Sequence, residues 1–239
     1  MIEIRAMRKN IINMAAIVFF TLALTACGNA ASNQPEAKAD KAATEIPADS
    51  IIKLLEPDKT LDASLMQALT DRASQREFAD KQLSLEDLSS LLWAANGVNR
   101  EDGKRTAPSA VNAQDVDIYV SMASGAYLYD AKQSQLTRIT TEDLRSAVCG
   151  KQPMEAPVFL VMVADISRYP EGLASQRPLV ESFAAMDAGY VSQNICLYCS
   201  AAKLATVPRA SMDKEALTKS LNLKDTQIPL LNNPVGYMK

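Results

Sequence analysis

At 239 residues, with a formal net charge of -3, 48% hydrophobic and 22% charged residues, the chain has the composition of a soluble globular protein and not of a nucleic-acid binder. It contains no histidine, which excludes a Ser-His-Asp triad, a Cys-His pair and the histidine-containing zinc sites. An enzyme made from these residues would leave its hard step to a bound cofactor.

In chain order, Arg8 and Lys9 precede an apolar run, Ile11 to Leu24, and then small residues, the pattern of an export signal. The run is too short for an ordinary membrane-spanning helix. It ends in Leu24-Thr25-Ala26-Cys27, which resembles the lipobox of bacterial lipoproteins. That likeness implies cleavage before Cys27, its lipidation, and a membrane-anchored, extracytoplasmic place in a bacterial cell envelope; the alternative is a plain secretory signal with an incidental cysteine. Residues 1-26 are thus expected to be a signal peptide and residues 27-49, small, polar and without aromatics, a flexible tether. Residues 50-239 are enough for one domain with its own core.

Within that domain, Leu61 to Leu69 has helical spacing, and a second helix starts at Ser84, with Asp87 three residues on, and stops at Asn96-Gly97. Val116 to Asp130 alternates about Ser124-Gly125 and reads as a β-hairpin. Ala156 to Asp165 is a continuous apolar run, expected to be a central strand covered on both faces. A long helix is expected over Leu179 to Leu204, with Gly189 inside it marking close packing. Met212 to Leu221 gives one more amphipathic helix and Ile228 to Tyr237 a last strand, so the fold class is α+β.

Three stretches carry chemistry. Arg72, Ser74 and Arg76 offer two guanidinium forks and a hydroxyl within five residues, either the grip on an anion or a solvated face shared with Asp71 and Glu77. Pro108 to Gln114 is a turn by composition, able to present amide and hydroxyl groups. Cys196 and Cys199 form a Cys-x-x-Cys in the middle of the long helix, where small core residues are the plainer reading. Export would permit a disulfide, with Cys149 as a further partner, and spacing does not choose the pairing.

The Arg-x-Ser-x-basic motif of Leu65 to Phe78, the Pro-Ser-x-x-Asn-x-Gln of Pro108 to Gln114, the Gln193-Asn194 pair and Leu-Ala-Thr of Met186 to Val207, and the closing Asn233 to Tyr237 resemble, in this order, the nitroreductase superfamily of FMN-dependent oxidoreductases. Leu88 to Ala110 is most similar to its SagB-type dehydrogenase branch. The resemblance implies a central, mostly antiparallel sheet flanked by helices, and a homodimer with FMN at its interface. By the same resemblance Arg72, Ser74, Gln75 and Arg76 would hold the phosphate, and Pro108, Ser109, Asn112 and Gln114 would reach the flavin from the partner subunit. Lys151 and Gln152 sit where a polar flavin contact is often kept, and Arg209, Ala210 and Ser211 in the loop that offers backbone donors to the ring. Lys239 stands alone where many members carry a basic pair, and Lys203 replaces a usual glycine.

The implied activity passes hydride or electrons through the flavin to a small acceptor, a nitro compound, quinone or enone, with no side chain as nucleophile and no metal. A non-enzymatic flavin-binding or assembly lipoprotein is the alternative. NAD(P)H is cytosolic, so an anchored enzyme would draw on another donor, a membrane quinol or a protein partner.

Overall fold

The computed structural model describes residues 43-239. The expected export signal, Cys27 and the tether up to residue 42 lie outside the described residues. In chain order the elements are β1 (Ile51–Lys53), α1 (Leu65–Asp71), α2 (Leu85–Asn96), β2 (Val116–Met122), β3 (Gly125–Asp130), β4 (Gln135–Thr140), α3 (Arg145–Cys149), β5 (Val158–Asp165), α4 (Glu171–Ala174), α5 (Arg177–Ala201), β6 (Leu204–Thr206), α6 (Lys214–Ser220) and β7 (Gln227–Tyr237).

The strands form one antiparallel sheet of order β1-β4-β3-β2-β5-β7-β6. The apolar run of β5 lies in its interior, paired with β2 through Val120 and Leu160 and with β7 through Leu160 and Asn233. Successive side chains of a strand point to opposite faces. Val158, Leu160 and Met162 accordingly join Leu91 of α2 and Ile195 of α5 in one core, whereas Phe159, Val161 and Val163 meet Val148 of α3 and Leu217 of α6 in the other. Each fully buried side chain of this kind contributes about 1.5–3 kcal/mol, so the two cores fix which helices lie on which face.

Local signals set the element ends. The Ser84 hydroxyl accepts from the Asp87 amide at 3.0 Å and donates to its carboxylate at 2.9 Å, the expected cap of α2. The first helix runs from Leu65 and not from Leu61, because Ser64 caps it by accepting from the Gln67 amide. The long helix is also shorter than expected: it ends at Ala201, Lys203 turns left-handed at φ 58, and Leu204 to Thr206 forms β6. Gly189 does not mark close packing either, since a Cβ built there meets nothing within 4 Å. The part of the expected tether that is described docks: Thr44 donates to Glu86, and the Arg138 guanidinium donates to the Ala48 carbonyl at 2.8 Å.

The hairpin turns at Gly125, whose φ of 132 and whose missing Cβ, which would sit 2.3 Å from the Thr140 carbonyl oxygen, leave room for glycine alone. Gly125→Val is expected to cost about 1–3 kcal/mol, read as a lower thermal midpoint; an unchanged melt would show that the turn can relax.

Candidate functional site

Helix α1 is fastened to α5 by the Ser200 hydroxyl, which donates to the Ala68 carbonyl at 2.8 Å, and by Lys203, paired with Asp71 at 2.9 Å. The Lys203 ammonium beside it holds the Asp71 carboxyl below its usual range. Asp71 is therefore taken, and not by the arginines next to it. Beyond α1 the chain runs exposed over 72-77 and is held by the Gln75 amide, which donates to the Thr206 carbonyl on β6 at 2.9 Å. Phe78 then bridges to Met238 at the end of β7, beside exposed Lys239. Along this run Arg72, Ser74, Gln75 and Arg76 are exposed, and among the described residues neither arginine side chain has a hydrogen bond or ion pair. Two unpaired forks flanking a hydroxyl can take an oxyanion with several charge-assisted hydrogen bonds.

Two further loops meet the same end of the sheet. Arg209 is not a surface residue: it is 7% exposed, pairs with Asn232 across an antiparallel bridge, and donates from Nη2 to the Cys149 and Gln152 carbonyls at 2.9 and 3.0 Å. Its guanidinium thereby clips the 149-152 turn to the loop after β6. Gly150, at φ 57, lies so close to Met212 that a Cβ would approach it to 3.2 Å. Lys151, Gln152, Ala210 and Ser211 are left exposed on the two loops, and the Asn232 amide holds the Ser211 carbonyl at 3.1 Å. Beside this group, between the segment after Arg76 and the loop after α3, opens a cleft of about 750 Å³ lined by Phe78, Lys81, Arg145, Cys149, Met154 and Pro157. That volume is in the range of ligand sites, and sequence reasoning gave none of its lining residues a part in cofactor binding.

The third predicted stretch lies elsewhere. Pro108, Ser109, Asn112 and Gln114 form the loop between α2 and β2, with left-handed backbone at Val111, Asn112 and Gln114. The Ser109 hydroxyl accepts from the Gln114 amide at 2.9 Å, and the Gln114 carbonyl oxygen of the side chain accepts from Arg105 Nε at 3.1 Å. Gln114 thus shapes the loop, while Pro108 and Asn112 remain exposed. The loop is tied to α5 through the Ala110 amide, which donates to Asp187 at 2.9 Å. Asp187 lies thirteen residues before Ser200 on the same helix, about 20 Å at 1.5 Å per residue. Within one chain, then, the structure gathers Arg72–Arg76, Lys151–Gln152, Arg209–Ser211 and Lys239, and leaves the 108-114 loop at the other end of α5.

Sequence reasoning missed the buried acids below that loop. Asp115 and Asp187 are 0% and 2% exposed, and the Tyr169 hydroxyl donates to Asp187 at 3.3 Å. Burial, then a hydrogen bond with Asp187, pushes the Asp115 carboxyl up to about 7. The signal was present: Asp187 stands in phase with Val180, Ala184, Val191 and Ile195 on the buried stripe of the helix.

The three cysteines among the described residues are core residues. Cys149, Cys196 and Cys199 are free thiols, and Cys149 and Cys199 belong to the cores on opposite faces of the sheet. Burial pushes the Cys196 thiol up, although Arg72 pulls the other way, and Cys199 further still. The carboxamide of Asn233 accepts from Ser192 at 2.7 Å and donates to Thr206 at 3.2 Å, tying α5, β7 and β6 into one buried polar knot.

The family model described as Nitroreductase family matches residues 69-237. A Methanocaldococcus jannaschii protein carrying the name nitroreductase is 30% identical over 183 residues, 72% of this chain and 90% of that protein. A crystal structure of a Ralstonia eutropha protein, also titled a nitroreductase, is similar with a TM-score of 0.73 at 36% identity, over 82% of this chain and 93% of that one. A chain of the E. coli microcin synthetase complex shares the fold alone, at 18% identity and a TM-score of 0.59 over 78% of each chain.

Proposed function

Since the chain belongs to the nitroreductase family, we propose that it is an FMN-dependent oxidoreductase that reduces a small acceptor such as a quinone, nitro compound or enone. The observation that carries this reading is the pair of exposed, unpaired arginines flanking Ser74, in a segment whose neighbouring acid is already bound to Lys203. The residues present fit the cofactor. Arg72 and Arg76 would hold its phosphate dianion, with Ser74 as a further donor, and the exposed 151-152 and 210-211 backbone lies beside the same end of the sheet for a ring edge. When bound, FMN supplies the hydride and electron chemistry that no side chain of this chain can. The protein's part is to bind, to orient and to exclude water.

The 108-114 loop completes this site in the proposal only from a second copy, because in its own chain it lies about 20 Å along α5 from the arginines. Support for a homodimer comes from the outer side of α5, where Leu179, Met186 and Tyr190 are 38%, 46% and 47% exposed at helical spacing, with Val111 and the α1 residue Met66 exposed as well. The SagB-like branch, lipidation at Cys27 and an extracytoplasmic place are part of the same proposal, resting on the wording of Leu88 to Ala110 and of Leu24 to Cys27. They imply a quinol or protein donor.

Purified protein is expected to show oxidised-flavin bands, and its flavin to be reduced slowly by NADH and NADPH but quickly by a quinol. Rapid reduction by a nicotinamide nucleotide would remove the alternative donor, and a colourless protein that ignores added FMN would remove the cofactor.

A further inference from the structure

The acids Asp115 and Asp187 take no part in the chemistry above, yet they lie directly beneath the loop assigned to the partner's cofactor. Neither oxygen of Asp115 has a hydrogen bond of ordinary length among the described residues, and the nearby Tyr169 hydroxyl is directed to Asp187. Asp187 already accepts from the Ala110 amide and the Tyr169 hydroxyl on one oxygen. Two ionised carboxylates here would lie adjacent, with that of Asp115 bare. The void beside them, lined by Ala107, Pro108, Ser109, Gln114, Val116 and Val191 among others, amounts to about 10 Å³, room for roughly one water at most.

The charged and titratable groups around the pair cannot supply the missing donor. From the turn after β5, Arg168 is spent on Asp117 and on the Gln114 carbonyl. Arg105, from the loop after α2, donates to Gln114 and to the Asn96 carbonyl. Asp117 on β2 and Asp165 at the end of β5 are acids themselves, α2 offers the neutral Asn96, and Tyr169 already gives its one proton to Asp187. The loop above holds three left-handed non-glycine residues within four positions. Such backbone persists only where the surroundings over-determine it.

We propose that Asp115 and Asp187 share one proton and together act as a latch, positioning residues that hold the 108-114 loop in the shape the flavin site requires. The neutral acid of Asp115 donates to Asp187, which keeps Asp187 in place as the acceptor for Ala110. The flavin half of this inference rests on the proposed function; the latch itself does not. A carboxyl whose folded value is raised binds its proton more tightly in the folded chain, so its contribution is present in acid, declines as pH rises from about 4, and is lost above the folded value near 7. By linkage, whatever affinity the proton adds for FMN, FMN adds for the proton.

The test compares the wild type with Asp115→Asn, which stays neutral and can donate at any pH, and with Asp187→Asn as the second variant. Two quantities are read: the melting midpoint of cofactor-free protein from pH 5 to 8.5, and the FMN dissociation constant at pH 6 and 8.5. The wild-type midpoint is expected to fall over this range where that of Asp115→Asn stays level. The ratio of wild-type to variant dissociation constants should grow about fivefold or more, a ratio in which titration of the FMN phosphate cancels. Parallel melting profiles in wild type and both variants would overturn the latch. Failure of every protein to bind FMN would remove the proposed function while the melting arm still decides the latch.

Discussion

Replacing Arg72 with alanine is expected to raise the FMN dissociation constant by about 10- to 100-fold, the equivalent of the roughly 1.5–3 kcal/mol carried by hydrogen bonds to a charged group. The fold should not change, because the side chain is exposed and makes no hydrogen bond or ion pair among the described residues. Its neighbours hold the segment without it: the Arg72 amide caps α1, Gln75 is pinned to Thr206, and Asp71 to Lys203. Arg76→Ala should act in the same direction, and the double variant should be purified without flavin. Quenching of FMN fluorescence on titration reads the constant, and added salt should weaken wild-type binding more than that of the variants. A constant within about twofold of wild type would return the stretch to a solvated face.

Charge placed on the outer side of α5 is expected to remove the cofactor from a distance. In Met186→Glu with Tyr190→Glu, the dimer should dissociate and FMN affinity fall at least about 100-fold, although Arg72, Ser74 and Arg76 are untouched. The reason is geometric, since an isolated chain keeps its 108-114 loop near Asp187, about 20 Å along α5 from the arginines. Complementation gives the sharper reading. Protein carrying Arg72→Ala, mixed under exchange with protein carrying Asn112→Ala and Pro108→Ala, should form heterodimers in which one of the two sites is wholly intact. Flavin retained by the heterodimers at one of their two sites, where neither parent retains it, is the expected outcome; a monomer that binds FMN as well as wild type would refute the shared site.

Much of this architecture was legible because single physical causes act locally. The uninterrupted apolar run of β5 needs cover on both faces, and the sheet supplies two cores. Ser84 and Asp87 announce a cap, and Gly125 a turn. What escaped depends on partners far away in the chain. β1 is a strand only because β4 lies beside it, and the end of α5 follows from Lys203 turning left-handed to meet Asp71, a conformation costing a non-glycine residue about 1–2 kcal/mol. In the candidate site, the motif residues of 72-76 were readable as residue types. The burial of Arg209 was not, because its hydrogen bonds go to backbone carbonyls that have no sequence signature. The acid below the 108-114 loop could have been found, since a carboxylate in phase with a buried helical stripe demands a partner.

The position of β7 has a consequence for biosynthesis. It follows the other described elements in the chain, yet it lies inside the sheet, between β5 and β6, and its final residues hold the segment just beyond the arginines: the Ala79 amide donates to the Tyr237 carbonyl, and Phe78 bridges to Met238. A ribosome that has made everything up to α6 has therefore made the arginine segment but not the strand against which it is aligned. Contacts of such long sequence separation form late and slowly. Until β7 inserts, β5 should stay unpaired on one side of an open sheet, and the arginine segment should lack the strand that aligns it.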